Sequence, residues 1–181
     1  LYNILSKKVK DIKLLDLLKK IIYSNEGKTG LAIGNYTSQM FANIYLNEID
    51  QYVKNTLNAK YYFRYMDDSI LLIKTKEEAI EKLKRIKEFL EKKLELKLNN
   101  KTQIFKNKQG VNFCGYKINE YRLKIRDRGK RKLKEKVKKL TKEIKEGKIN
   151  SKDAKKYLCG HLGYLKIANT YNIENKLFEK E

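Results

Sequence analysis

Apolar residues recur at three- and four-residue steps near the start of the chain. Ile4, Leu5, Val9 and Ile12 are followed by Leu14, Leu15, Leu18, Ile21 and Ile22. That spacing predicts helix over 2–22, with Asp11 placed to cap a second helix inside the run. Gly27, Gly30 and Gly34 make 24–34 a loop. Thr37 or Ser38 can cap a helix over 38–56, whose apolar side is Phe41, Ile44, Tyr45, Ile49, Tyr52 and Val53. Residues 60–65 and 69–74 are aromatic and β-branched and flank Met66-Asp67-Asp68, which predicts a hairpin turning at the acidic pair. Residues 77–92 form an amphipathic helix with Ile80, Leu83, Ile86, Phe89 and Leu90 facing in. Leu94, Leu96 and Leu98 alternate like a strand, and short strands follow near 103–106, 111–118 and 121–126. A basic helix over 128–146 carries the stripe Leu133, Val137, Leu140 and Ile144 and stops at Gly147. Ser151 can cap a last helix through Ala168, broken or closely packed at Gly160 and Gly163.

Composition narrows the class. Apolar residues make up 41% of the 181, including 13 Tyr and 6 Phe, which excludes a disordered chain. No stretch approaches the roughly 18 apolar residues of a membrane span. Two cysteines, Cys114 and Cys159, and one histidine, His161, exclude a disulfide scaffold and a zinc site. Both cysteines read as buried small hydrophobes, reduced in a cytosol. His161 reads as a packed core residue. Any metal must then be a hard cation held by carboxylates. There is no proline and no internal repeat.

The net charge of +21 points to a polyanionic partner. It is clustered: residues 120–156 hold 17 Lys and Arg against 6 Asp and Glu. The composition shift near Tyr121–Arg128 marks the best domain boundary.

Tyr65-Met66-Asp67-Asp68 is the sharpest chemical feature. Adjacent carboxylates at a hairpin tip repel unless a cation compensates them, and Mg²⁺ takes one or two carboxylates together with phosphate oxygens and water. Two such ions about 3.5–4 Å apart clamp the attacking and leaving oxygens of a phosphoryl transfer. Ahead of this lies the glycine loop Gly30–Gly34, running through Asn35-Tyr36-Thr37-Ser38-Gln39 into a helix. Glycine lets a backbone approach a ligand closely, and a helix N-terminus favours phosphate.

These parts, in this order, resemble reverse transcriptases. That family carries a loop–helix motif, commonly Q-G-x-x-x-S-P, then a Y-x-D-D hairpin, a short helix, a lysine-bearing loop and an F-L-G-Y-like hairpin. Here Ile33-Gly34-Asn35-Tyr36-Thr37-Ser38-Gln39, Tyr65-Met66-Asp67-Asp68, Lys101-Thr102 and Phe113-Cys114-Gly115-Tyr116 stand in the matching places. The resemblance implies an α+β fold: residues 1–126 as part of a polymerase palm, an antiparallel sheet with packed helices, and 127–181 as a basic helical thumb. It implies a cytoplasmic, bacterial or phage-encoded enzyme that uses an RNA template, a DNA primer and dNTPs. Two Mg²⁺ ions, with Mn²⁺ as a substitute, would serve as cofactors. A small basic accessory protein is a further partner suggested by the resemblance.

The roles follow position by position. Asp67 would ligate the metals and Asp68 would support them. Tyr65 and Met66 would pack near the primer end. Gly34 and Ser38 would line the nascent pair, with Ile33, Asn35 and Gln39 beside them. Lys101 would neutralise or protonate the leaving pyrophosphate. Phe113, Gly115 and Tyr116 would hold the primer. Arg126, Arg128, Lys130, Arg131, Lys134 and Lys138 would track phosphates.

I-G-x-x-x-S-Q in place of Q-G-x-x-x-S-P resembles the enzymes of diversity-generating retroelements, which copy with errors opposite template adenine. Retron, group II intron and phage-defence enzymes are alternatives, as is a non-catalytic RNA-binding remnant. One departure stands out. The family takes a further carboxylate from a strand upstream of the loop–helix motif, and no residue here matches it. Asp11 and Asp16 fall in helical patterns. Asp50 falls on the helix after the loop, where it is expected to face solvent or pair with a lysine. The 181 residues therefore resemble the rear part of a polymerase, expected to be inactive alone.

Overall fold

The computed structural model describes residues 1–24, 30–32, 34–171, 173 and 175. Gly27 and Ile33 lie outside the described residues. Helices and small antiparallel sheets make an α+β chain of two compact units, Leu1–Ile104 and Phe105–Glu181.

The first unit opens with helices α1 (Tyr2–Lys8) and α2 (Ile12–Ile22). Asp11 breaks the run as expected, its carboxylate accepting from the Leu14 N–H at 3.0 Å. Helix α3 (Tyr36–Gln51) begins earlier than the hydroxyl residues suggest. Its N-cap is Asn35, which makes no side-chain cap hydrogen bond, so neither Thr37 nor Ser38 caps it. The helix widens into a π turn over Tyr52–Thr56. Strands β1 (Tyr61–Tyr65) and β2 (Asp68–Leu72) pair in register, Tyr61 opposite Leu72 and Tyr65 opposite Asp68. Helix α4 (Lys76–Lys93) is capped by Thr75, whose hydroxyl accepts from the Glu78 N–H at 3.2 Å.

The wider turn aims Val53 and Leu57 into the core with Ile49, Ala59, Ile86, Leu90 and Leu94. Tyr52 stacks on Phe89 with centroids 4.2 Å apart, and the Tyr45 hydroxyl donates to the Leu94 carbonyl at 2.8 Å. Ile80 departs from the expected inward face and is exposed.

Leu94, Leu96 and Leu98 do not form a strand. The Leu94 and Leu96 N–H groups both bond back to the Leu90 carbonyl, and Glu95 sits at φ +51. The chain wraps the end of α4 in this way, and the three leucines pack on the same core without a β ladder. Their alternation records that docking. Residues 103–106 are likewise irregular.

In the second unit β3 (Val111–Phe113), β4 (Tyr116–Ile118) and β5 (Leu123–Ile125) form an antiparallel sheet in that order. Helices α5 (Asp127–Lys145) and α6 (Ser151–Lys166) follow. Gly147, at φ +69, closes α5: its N–H bonds to the Ile144 carbonyl, and the Lys148 N–H to that of Glu143. Asn150, rather than Ser151, caps α6, accepting from the Asp153 N–H at 2.8 Å. Gly160 and Gly163 do not break α6, and among the described residues nothing lies within 4 Å of where a Cβ would stand on either.

Ile125 of β5 joins Leu133 of α5 and Leu165 of α6 in one buried cluster. The sheet therefore packs with the basic helices, and the compact units divide at Ile104/Phe105, upstream of the composition shift. Both cysteines are exposed, contrary to expectation. Cys114 stands at a hairpin tip, and Cys159 lies on the outer face of α6 with its thiol donating to the Lys155 carbonyl. No helix among the described residues is long and apolar enough to cross a membrane.

Candidate active site and nucleic-acid interface

Pairing of Tyr65 with Asp68 leaves Met66 and Asp67 as a two-residue hairpin loop. Such loops need a positive φ that Gly or Asn supplies easily. Here Met66 takes it, at φ +54. Asp67 occupies the tip and Asp68 the first position of β2, and both are exposed. Among the described residues neither carboxylate makes an ion pair or side-chain hydrogen bond. Adjacent, unspent oxygen donors suit a hard divalent cation. Among the described residues no three His, Cys, Asp or Glu side chains cluster, so the two carboxylates stand there as a pair only.

The strand beneath the turn alternates cleanly. Tyr61, Phe63 and Tyr65 are exposed, while Tyr62 and Arg64 turn inward. Inward parity brings Arg64 to Asp50 of α3. Arg64 Nε and Nη2 donate to the two Asp50 oxygens at 2.7 and 2.6 Å, and the Tyr62 hydroxyl donates to Oδ1 at 2.6 Å. Asp50 is thus neither solvated nor paired with a lysine. Its position near the middle of the hairpin's inner face gives it an arginine instead. Burial pushes the Asp50 carboxyl up, but the hydrogen bonds from Arg64 and Tyr62 and the arginine charge outweigh it and hold the group below its ordinary value. Burial, with the Asp50 hydrogen bond and charge, raises Tyr62. Arg64 Nη1 reaches on to the Met66 carbonyl at 2.7 Å and Asn43 Oδ1 at 3.1 Å. Helix α3 and the acidic turn are thereby joined.

Gly34, at φ +99, has nothing among the described residues within 4 Å of where a Cβ would stand, so conformation rather than crowding calls for glycine there. Asn35 and Gln39 are exposed and Ser38 is half-buried. Lys101 is exposed in an irregular segment, its backbone N–H held by Asn99 Oδ1 at 3.0 Å. Among the described residues its ammonium makes no ion pair with the acidic turn.

In the second unit Phe113 pairs with Tyr116, leaving Cys114-Gly115 as a two-residue loop at φ +46 and +87. Positive φ at both centres is the geometry that matches strand twist in a hairpin. Helix α6 fastens this loop. The Tyr164 hydroxyl donates to the Gly115 carbonyl, its ring stacks on Tyr116 at 4.5 Å, and the Tyr116 hydroxyl donates to the Tyr164 carbonyl at 3.1 Å. Desolvation raises the Tyr164 hydroxyl, with the Tyr116 charge adding to it.

A Cβ on Gly115 would lie 2.6 Å from the Tyr164 hydroxyl oxygen. Gly115→Ala is expected to cost about 2 kcal/mol, from the unfavourable φ and the lost hydrogen bond. Chemical denaturation measures it, and an unchanged midpoint contradicts the lock.

Along α5, Arg126 at the N-cap and Arg128, Arg131, Lys134 and Lys138 are exposed. Lys130 is half-buried and donates to Asp127 at 3.0 Å, so it is the least available of the six expected phosphate contacts. That hydrogen bond and the lysine charge lower the Asp127 carboxyl. Lys136 stands 5.3 Å from the ring centroid of the exposed Tyr157.

The family model described as reverse transcriptase (RNA-dependent DNA polymerase) matches residues 7–118. The chain belongs to the reverse transcriptase family. No curated protein matches it. The match spans the loop before α3, the acidic hairpin and the Phe113–Tyr116 hairpin. Reverse transcriptases depend on divalent metal, which agrees with the donors at the turn, and they use an RNA template, a primer and dNTPs.

Sequence reasoning did not find Asn43, Asp50, Tyr62, Arg64 or Tyr164 as parts of these sites. One signal was present. Arg64 is the lone charge in an aromatic strand and shares the inward parity of Tyr62, so it requires a carboxylate partner.

Proposed function

We propose that the chain is the rear part of an RNA-directed DNA polymerase, with Asp67 and Asp68 as metal ligands for nucleotidyl transfer to a primer 3′ end. The observation that carries this is a pair of adjacent carboxylates, with no side-chain partner among the described residues, on a hairpin inside the matched region. Bound there, two Mg²⁺ ions, or Mn²⁺ in their place, supply Lewis-acid stabilisation of the attacking and leaving oxygens. Asp67 and Asp68 would hold their share of that charge.

Residues 1–126 act as palm and 127–181 as thumb. Tyr65 and Met66 pack against the primer end. Gly34, Asn35, Ser38 and Gln39 border the nascent pair. Phe113, Gly115 and Tyr116 contact the primer backbone on a loop that Tyr164 keeps rigid. Lys101 neutralises the pyrophosphate. The exposed cations of α5 track phosphates of an A-form hybrid, which is recognised by backbone and shape. The enzyme is bacterial or phage-encoded and works in the cytoplasm, with a small basic accessory protein as a partner.

The I-G-x-x-x-S-Q string supports an error-prone enzyme of the diversity-generating type. An amide at position 33 can hydrogen-bond a nucleotide or its neighbours and an isoleucine cannot, which lowers discrimination. Ile33→Gln is expected to reduce misincorporation opposite template adenine. Sequencing of the products checks this, and an unchanged error spectrum removes it.

Binding of an RNA–DNA primer–template tests the reading as a whole. Mg²⁺ and the matching dNTP are expected to tighten the complex. Binding that ignores Mg²⁺ and Asp67→Ala would instead favour a non-catalytic RNA-binding module.

A further inference from the structure

We propose that Arg64 is the positioning residue of the acidic turn: its guanidinium fixes the Met66 carbonyl to α3 and so sets the direction in which Asp67 and Asp68 present their carboxylates. The inference rests on the reading of that turn as the metal-binding turn. The geometry is a fork in which all three nitrogens are engaged. Nε and Nη2 hold both oxygens of Asp50, which ties the arginine to α3. Nη1 is then directed at the Met66 carbonyl, 2.7 Å away, with Asn43 Oδ1 at 3.1 Å as its second acceptor. The Asn43 amide also approaches the Met66 sulfur at 3.8 Å. The Tyr62 hydroxyl braces Asp50 from the same strand face. With a side chain only 13% exposed, Arg64 has little freedom to swing away.

The Met66 carbonyl is a telling target. It belongs to the planar peptide unit whose nitrogen is that of Asp67. Fixing that oxygen fixes the plane from which the Asp67 Cα–Cβ bond departs. The turn needs such a hold, because Met66 sits at φ +54, where a side-chain-bearing residue other than Asn or Asp is unfavourable. A two-residue loop with glycine would reach this shape unaided. Lysine cannot replace the arginine, since a single ammonium cannot span both Asp50 oxygens and the turn carbonyl together.

The test uses ¹⁵N-labelled chain, wild type and Arg64→Lys, with amide relaxation and Mn²⁺ titration as readouts. In the wild type, order parameters at Met66, Asp67 and Asp68 are expected to match the strands, about 0.85. In Arg64→Lys they are expected to fall below about 0.6 while Tyr62 and Ile70 keep theirs. Mn²⁺ affinity at the turn is expected to drop at least ~10-fold, the usual loss when support behind a metal ligand is removed. A folded Arg64→Lys protein with a rigid turn and unchanged Mn²⁺ affinity overturns the proposal.

If Arg64→Lys does not fold, Arg64→Gln combined with Asp50→Asn removes the same grip and leaves no unpaired charge, and the same readouts decide. Asp67→Asn serves as the control for the metal reading. Mn²⁺ binding that ignores Asp67→Asn would refute that reading alone, and the order parameters would still judge the hold of Arg64 on the turn.

Discussion

Asp67→Asn is expected to lower RNA-templated extension at least ~10³-fold, about 4 kcal/mol of transition-state stabilisation. The substitution keeps the size of the side chain and removes the charge that a divalent ion requires. Asp67 is exposed at the loop tip and makes no hydrogen bond or ion pair among the described residues, so the fold loses nothing with it. Primer–template binding without Mg²⁺ and dNTP is therefore expected to persist, and the loss to fall on the tightening by Mg²⁺ and dNTP and on the rate of the chemical step. Asp68 begins β2 opposite Tyr65, and its substitution by Asn is expected to cost less than that of Asp67. Single-turnover extension at saturating primer–template separates the two effects. Equal loss of binding and rate would mean that Asp67 supports structure rather than catalysis.

The second large effect is on salt dependence. Arg126, Arg128, Arg131, Lys134 and Lys138 are exposed on or beside α5, while Lys130 is engaged by Asp127. Five phosphate contacts predict that hybrid affinity falls about 10²–10³-fold between ~50 and ~200 mM salt, through counterion release. Neutralising Arg128 or Lys134 is expected to flatten the log–log slope by about one each, with no change in sequence preference. Lys130→Ala is expected to change it least. Fluorescence anisotropy across a salt series measures the slopes. A flat salt response, or a dominant effect of Lys130, would place the nucleic acid elsewhere.

What the sequence makes legible follows from periodicity and turn chemistry. The helix over 128–146 is visible because Leu133, Val137, Leu140 and Ile144 repeat on one face, and Gly147 ends it by adopting the positive φ that glycine tolerates. The acidic hairpin is visible because aromatic runs flank an abrupt Asp-Asp. Leu94, Leu96 and Leu98 mislead because docking a wrapped segment onto a core also alternates side chains. Asn35 takes the cap of α3 from Thr37 and Ser38 through backbone geometry that residue type does not specify.

The supporting residues are the least legible. Arg64 and Asp50 are 14 positions apart, and Tyr164 and Gly115 are 49 apart. Each partner looks like an ordinary surface or helix residue until the strands and helices are folded together. Helix α2 shows the converse: its strong apolar spacing buries no residue, and Ile12 and Leu17 remain exposed.

The most direct measurement is DNA synthesis on an RNA template by the protein expressed from the complete reading frame around this chain. DNA primer, dNTPs and Mg²⁺ are supplied. The account predicts Mg²⁺-dependent primer extension that stops on chelation and is lost in Asp67→Asn. Hybrid binding without extension at any Mg²⁺ or Mn²⁺ concentration, or extension that survives Asp67→Asn, would contradict it.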